Sequence, residues 1–254
     1  MRLIVLALLS GSFLSWAQTP APAGSTTSND SAAKLEAQLT RDQAILKDWP
    51  ELARYRDENA TIQPPAAGES RVVFMGDSIT DSWGRNYGQF FPGKPYFNRG
   101  ISGQTTPQML VRFRPDVINL KPKAVVILAG TNDISGNTGP ESLQDIENNL
   151  ESMADLARAN DIKVVLSSVM PVCDYIRPQT VRRSPEKIVA LNQWIQTYAS
   201  KNGLVYLDYY SAMIDDHKML KQDLTYDGLH PNAAGYAIMG PLAQQAIDKT
   251  LAAH

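Results

Sequence analysis

Short, nearly unbroken apolar runs alternate along this chain with longer stretches in which apolar residues return every three or four positions. Five runs read as strands: 71–77 (RVVFMGD), 96–101 (YFNRGI), 124–130 (AVVILAG), 163–169 (KVVLSSV) and 204–210 (LVYLDYY). Three of them are almost continuously apolar, the pattern of strands covered on both faces of a parallel sheet. The segments at about 105–120, 141–160 and 185–202, and the closing stretch 232–252, read as helices. Strand alternating with helix is the βαβ arrangement. The expectation is a single three-layer α/β/α domain over residues 69–254, with a five-stranded parallel sheet and helices on both faces.

Upstream the pattern changes. Arg2 gives a positive start, residues 3–16 (LIVLALLSGSFLSW) form an apolar stretch too short to span a bilayer, and small residues follow. Residues 1–17 are therefore expected to be a signal peptide cleaved after Ala17. Residues 18–30 (QTPAPAGSTTSND) are small, polar and Pro-rich, and read as a disordered linker. Residues 31–68 read as an N-terminal helical extension, with Leu35, Leu39, Ile45, Leu46 and Leu52 set among charges and Pro50 breaking it in two.

Composition adds limits. The 254 residues are 43% hydrophobic and 20% charged, an ordinary globular balance. A net charge of -2, which becomes -3 once Arg2 is removed, gives no reason to expect a nucleic-acid partner. Cys173 is the single cysteine, so no intrachain disulfide can form and the core alone must hold an exported domain together. No cysteine follows the signal core to carry a lipid, so no stable membrane anchor is expected. The expected location is secreted or periplasmic.

Ligands of doubly wound sheets bind beyond the carboxyl ends of the strands. At those ends lie Gly76-Asp77-Ser78, then Gly100 and Gly103, then Gly130-Thr131-Asn132-Asp133. A serine hydroxyl needs a neighbour to take its proton, and histidine is the usual one. Of three histidines, His254 ends the chain, His217 sits in the charged stretch DDHKML, and His230 sits in YDGLHPNAAGY with Asp227 three residues ahead. That spacing lets one turn carry the carboxylate to the imidazole. Taken alone, DGLHPN also reads as a plain turn with Pro231 opening a helix. Asp77 likewise suits either holding the Ser78 turn or simply starting a helix.

The four blocks GDSIT, NRGISGQT, GTND and DGLHPN, in this order at strand ends, resemble the SGNH hydrolases, also called GDSL esterases and lipases. The resemblance covers about Val72 to Leu251. It implies a flavodoxin-like fold, Ser78 as nucleophile, His230 as general base and then acid, and Asp227 orienting His230. It also implies an oxyanion hole from the backbone N–H groups of Ser78 and Gly100 and the side-chain amide of Asn132. It implies no cofactor. Asn98, Arg99 and Asp133 take supporting places.

Other chemistries lack their signatures. There is no Gly-x-Ser-x-Gly elbow, no His-Glu-x-x-His and no Cys-x-x-Cys, so a metal site has no support. Residues 88–95 (GQFFPGKP) fall short of a phosphate loop. Two loops are expected to wall the site. One carries Trp83, Tyr87, Phe90, Phe91 and Tyr96, rings that either stack on a sugar or pack beneath the loop. The other carries Arg177, Arg182 and Arg183, expected on a solvated face. Neither offers a long apolar channel. The expected substrate is a small-molecule or glycan ester with a short acyl group, acetyl foremost. Lysophospholipase, thioesterase and glycan O-acyltransferase chemistry are the alternatives the same residues would serve.

Overall fold

The computed structural model describes residues 26–253. The expected signal peptide and residues 18–25 of the expected linker lie outside the described residues. The first helix, α1 (Thr26–Lys47), starts ahead of the expected boundary, so residues 26–30 are helical rather than linker. The helix breakers of that stretch, Pro20, Pro22 and Gly24, all precede Thr26. Nearly all of α1 belongs to a first unit that ends at Leu46, and a second unit runs from Lys47.

The second unit opens with turns around Pro50, where the Asp48 carboxylate accepts from the N–H groups of Leu52 and Ala53, and then α2 (Arg56–Thr61). The alternating elements follow: β1 (Val72–Gly76), α3 (Ser78–Asp81), β2 (Tyr96–Gly100), α4 (Thr106–Asp116), β3 (Ala124–Leu128) and α5 (Thr131–Ile134). Next come α6 (Leu143–Arg158), β4 (Lys163–Ser167), α7 (Pro185–Lys201), β5 (Val205–Leu207), α8 (Tyr210–Met213) and α9 (Ala233–Ala252). The sheet is parallel throughout, in the order β2-β1-β3-β4-β5. All five strands lie where the apolar runs placed them.

Period-two alternation splits each run between two cores. Val73, Met75, Val125, Ile127, Val164 and Leu166 face one side, against Met109 and Phe113 of α4, Leu150 of α6 and Leu191 of α7. Val72, Phe74, Val126, Leu128 and Val165 face the other, against Met213 of α8 and Tyr236, Met239 and Ile247 of α9. Both faces are covered, which is why β1, β3 and the middle of β4 read as nearly unbroken apolar runs. Among the described residues no helix is long and apolar enough to cross a membrane.

Helix starts follow local sequence. Thr105 and Gln108 form a capping box on α4, and Ser142 with Asp145 does the same on α6. Ser184 accepts from Lys187 N–H just ahead of Pro185 on α7.

The strand order reverses between β1 and β3, so the crevice between their carboxyl ends is the natural ligand site of this fold. Two polar side chains, Arg112 and Asn98, hold that edge. Arg112 of α4, fully buried, donates to the carbonyls of Gly76 (3.0 Å) and Arg99 (2.8 Å), the ends of β1 and β2, and to the Gln104 side chain in the next loop. Asn98 of β2 donates to the Thr80 and Trp83 carbonyls and anchors α3 over the sheet edge. The approach is so close that a Cβ on Gly100 would stand 2.1 Å from Asp81 N. Gly100→Ala is therefore expected to lower stability by about 2–3 kcal/mol, measured by urea unfolding. An unchanged midpoint would mean that α3 is not seated against β2 as described.

Candidate active site

Strand β1 delivers its chain directly into the first turn of α3. Asp77 caps that turn, its carboxylate accepting from Ile79 N–H at 2.9 Å. The two readings left open for Asp77 are thus one: it holds the Ser78 turn by capping the helix. Ser78 begins α3 at the edge of the sheet. Its Oγ lies 2.9 Å from Nε2 of His230, which is 152 residues away in sequence.

His230 reaches this place through a tight turn. Thr225 Oγ1 donates to the His230 carbonyl and accepts from Gly228 N–H. The Asp227 carboxylate binds the same turn twice through Oδ1, accepting from Leu229 N–H (3.0 Å) and His230 N–H (2.8 Å). Its Oδ2 lies 2.7 Å from His230 Nδ1. Gly228 is obligatory here: it has φ +91, and a Cβ would stand 2.4 Å from the Cys173 carbonyl. Asn232 then caps α9 by accepting from Ala234 and Gly235 N–H, so the helix starts after Pro231. Further along α9, the buried Tyr236 hydroxyl donates to the Ile79 carbonyl at 2.7 Å and ties the last helix to the serine turn.

This geometry fixes the chemistry of the imidazole. A carboxylate only accepts, so Nδ1 carries the proton and Nε2 is left to accept from the Ser78 hydroxyl. Burial opposes ionisation of Asp227, but the His230 N–H, the imidazole and the Leu229 N–H outweigh it and hold its pKa below the ordinary carboxylate value. Asp227 thus stays ionised where the imidazole needs a counter-charge. The site can lower the cost of deprotonating a hydroxyl and hold the imidazolium that results.

Beside the serine, the hydrogen-bond donors do not all fall where the sequence placed them. Ser78 N–H, at the start of α3, has no intrahelical acceptor. The Asn132 side chain, in α5 just beyond β3, donates one Nδ2 hydrogen to the Gln104 carbonyl at 3.0 Å and, among the described residues, keeps the second free. Gly100 N–H, however, is bound by the Asn98 Oδ1 at 2.9 Å. It is not open to an incoming oxyanion, and Gly100 instead serves the close packing of α3. Gly103 is an open backbone donor of this block. Its carbonyl accepts from Asn137, while its N–H makes no bond among the described residues. It lies between Ser102, whose hydroxyl donates to Asp81 of α3, and Gln104, whose carbonyl holds Asn132. The block NRGISGQT holds both glycines. The signal for choosing Gly103 was that Gly100 closes an apolar strand run whereas Gly103 lies in the loop beyond it.

The walls also differ in part from expectation. Trp83, Phe90, Phe91 and Tyr96 gather around Phe74 beneath their loop. Tyr87 goes the other way and stacks on Tyr226, with centroids 5.0 Å apart, and Tyr226 stacks on the His230 ring at 5.6 Å. In the second loop Arg182 is exposed and reaches Asn137 (3.3 Å). Arg183 is not solvated. It is buried, donating to Asn132 Oδ1 (3.3 Å) and to Gln179 Oε1 (3.1 Å). Burial, and then the charge of Arg182, hold its pKa below the ordinary guanidinium value. Gln179 in turn donates to the Asp227 carbonyl. Sequence offered one signal for these contacts: the loop precedes α7 immediately, with its arginines at the helix entrance. Cys173 is buried, and its N–H donates to the Gly228 carbonyl at 2.8 Å.

The model of the GDSL-like Lipase/Acylhydrolase family matches residues 74–238, well over half the chain. The protein belongs to this family. A solved GDSL-like lipase from Bacteroides thetaiotaomicron is 45% identical, superposes with a TM-score of 0.75, and covers 80% of this chain and 99% of its own. An acetylxylan esterase from Xylanibacter ruminicola is 27% identical over 74% of this chain and 45% of its own. The human platelet-activating factor acetylhydrolase IB subunit alpha2 is 26% identical over 66% of this chain and 72% of its own. The chain spans 33% to 45% of the length of the first curated relatives that it matches.

Two outcomes follow from the geometry. Asp227→Asn is expected to lower kcat about 10³- to 10⁴-fold, with little change in Tm, because the amide keeps an acceptor for the turn but not the counter-charge; equal kcat would contradict the arrangement. Asp77 gives a pH test of stability. Burial raises its pKa to about 6, opposed by the Ile79 N–H, His230 and Arg183 and reinforced by Asp133. A raised carboxyl favours the folded state while neutral and loses that advantage as pH rises through about 6. Asp77→Asn keeps the capping acceptor without the charge. It is expected to raise Tm at pH 8 relative to wild type and to give no gain near pH 4, measured by thermal melts. The same shift at both pH values would sink the assignment.

Proposed function

We propose that this protein is an exported serine ester hydrolase that removes short acyl groups, acetyl foremost, from carbohydrate. The observation that carries the reading is the unbroken chain from Ser78 Oγ through His230 to Asp227, at 2.9 and 2.7 Å, beside free donors at the sheet edge. Ser78 Oγ attacks the acyl carbon while its proton passes to His230 Nε2, and the carbonyl electron pair moves onto oxygen. That oxyanion is received by Ser78 N–H, Gly103 N–H and the free Nδ2 hydrogen of Asn132. Collapse expels the alcohol, which takes the proton from His230. Water, deprotonated by His230, then frees the acid and restores Ser78.

Acetyl is supported by two relatives whose names specify acetyl esters. Carbohydrate is supported by the xylan in the name of one of them and by the Tyr87–Tyr226 pair, partly exposed beside His230. Aromatic faces of this kind stack on sugar rings. Export rests on the pattern of residues 1–17.

Purified protein and its Ser78→Ala variant, assayed on p-nitrophenyl esters from acetate to palmitate, test the reading. Wild type is expected to be fastest on acetate and to fade with chain length, and the variant to lose turnover almost completely. Preference for long chains would overturn the short-acyl assignment. Wild-type rates in the variant would overturn Ser78.

A further inference from the structure

Arg183 is costly where it stands. It is 7% exposed, and none of the ion pairs among the described residues includes it. Its Nε has no hydrogen-bond partner. A guanidinium buried this way carries a desolvation penalty that an apolar side chain of similar size would avoid. The two hydrogen bonds it does make give the position a reason. One goes to Asn132 Oδ1 and the other to Gln179 Oε1, whose amide holds the Asp227 turn.

The Asn132 carboxamide therefore sits between an obligate donor and an obligate acceptor. A guanidinium only donates and a backbone carbonyl only accepts. Oδ1 must face Arg183 and Nδ2 must face the Gln104 carbonyl, which leaves the second Nδ2 hydrogen for the site. A flipped amide would set donor against donor at one end and acceptor against acceptor at the other. The positive charge at Oδ1 also draws electron density from the amide nitrogen, so the remaining N–H is a stronger donor.

We propose that Arg183 is a positioning residue of the oxyanion hole, locking the Asn132 carboxamide with its free N–H on the tetrahedral intermediate and strengthening that donor. The proposal rests on the hydrolase reading above and on the place given there to Asn132. It makes the loop ahead of α7 more than a wall, because Arg183 from that loop acts on Asn132, while Gln179 holds the Asp227 carbonyl by its own amide.

A double-mutant cycle on p-nitrophenyl acetate tests it, using Arg183→Met, Arg183→Lys and Asn132→Ala, each checked for folding by Tm and near-UV circular dichroism. Asn132→Ala is expected to lose on the order of 10²-fold in kcat. Arg183→Met is expected to lose about tenfold or more, always less than Asn132→Ala, with KM nearly unchanged. On the Asn132→Ala background the same Arg183→Met change is expected to cost less than about twofold. Arg183→Lys, which keeps the charge and a donor, is expected to recover part of the loss, and it carries the cycle if Arg183→Met does not fold. Equal losses on both backgrounds, or an effect on KM alone, would overturn the proposal. The two readings fail separately. A wild type without Ser78-dependent ester turnover fails the hydrolase reading, whereas an active wild type with an additive cycle fails only the role of Arg183.

Discussion

A serine hydroxyl becomes nucleophilic only while an imidazole nitrogen is held ready to take its proton, and here the two groups are separated by most of the domain. The 2.9 Å contact between Ser78 and His230 is the constraint that the rest of the structure serves. The sheet sets one end of it, because β1 runs straight into the capped turn that presents Ser78. Helix α9 sets the other end, docking on the opposite core from α4, α6 and α7. The Tyr236 hydroxyl on the Ile79 carbonyl joins the two ends directly. Burial of apolar area supplies the stability; these few polar contacts supply the register. An error of an ångström between α9 and β1 would leave both cores nearly intact and the proton transfer broken.

Electrostatics around the serine turn follow the same division. Asp77, Asp133 and Asp227 are all acids near the site, and of the three only Asp227 has its pKa held below the ordinary carboxylate value, by hydrogen bonds that outweigh its burial. Burial raises the pKa of Asp77 and of Asp133. Asp133 accepts from the Thr106 N–H and hydroxyl and stiffens the loop behind Asn132. The carboxylate held most firmly ionised is thus the one beside Nδ1 of the imidazole. The buried guanidinium of Arg183 lies against the Asn132 carboxamide, and its charge also faces Asp77 and Asp227.

Strands and long helices were legible because their signals are local. An apolar run with both faces covered reads the same wherever it sits, and the capping boxes at Thr105 and Ser142 mark their helices within four residues. Ser78 was legible because β1 runs into it, and Asp227 with His230 because their three-residue spacing fits one turn. Contacts that cross the domain were not. Gly100 and Gly103 stand three positions apart in one block, and the Asn98 side chain, returning to bind Gly100 N–H, closes that donor in a way that the block's order does not show. Arg183 reads as a solvated loop charge until the loop is seen to fold over Asn132. Arg112 left a trace: it lies on the apolar stripe of α4 with Met109 and Phe113, where a lone cation needs partners, and Asp116 one turn on is one of them.

The central claim is that Ser78 is the one activated nucleophile. The most direct measurement is mass spectrometry of the intact protein and its peptides after treatment with an organophosphate ester, which forms a stable bond only with a serine whose proton has been taken. A single adduct, located on Ser78, is expected, with labelling lost when His230 is replaced by alanine. An adduct on another residue, or labelling of Ser78 at the same rate without His230, would contradict it.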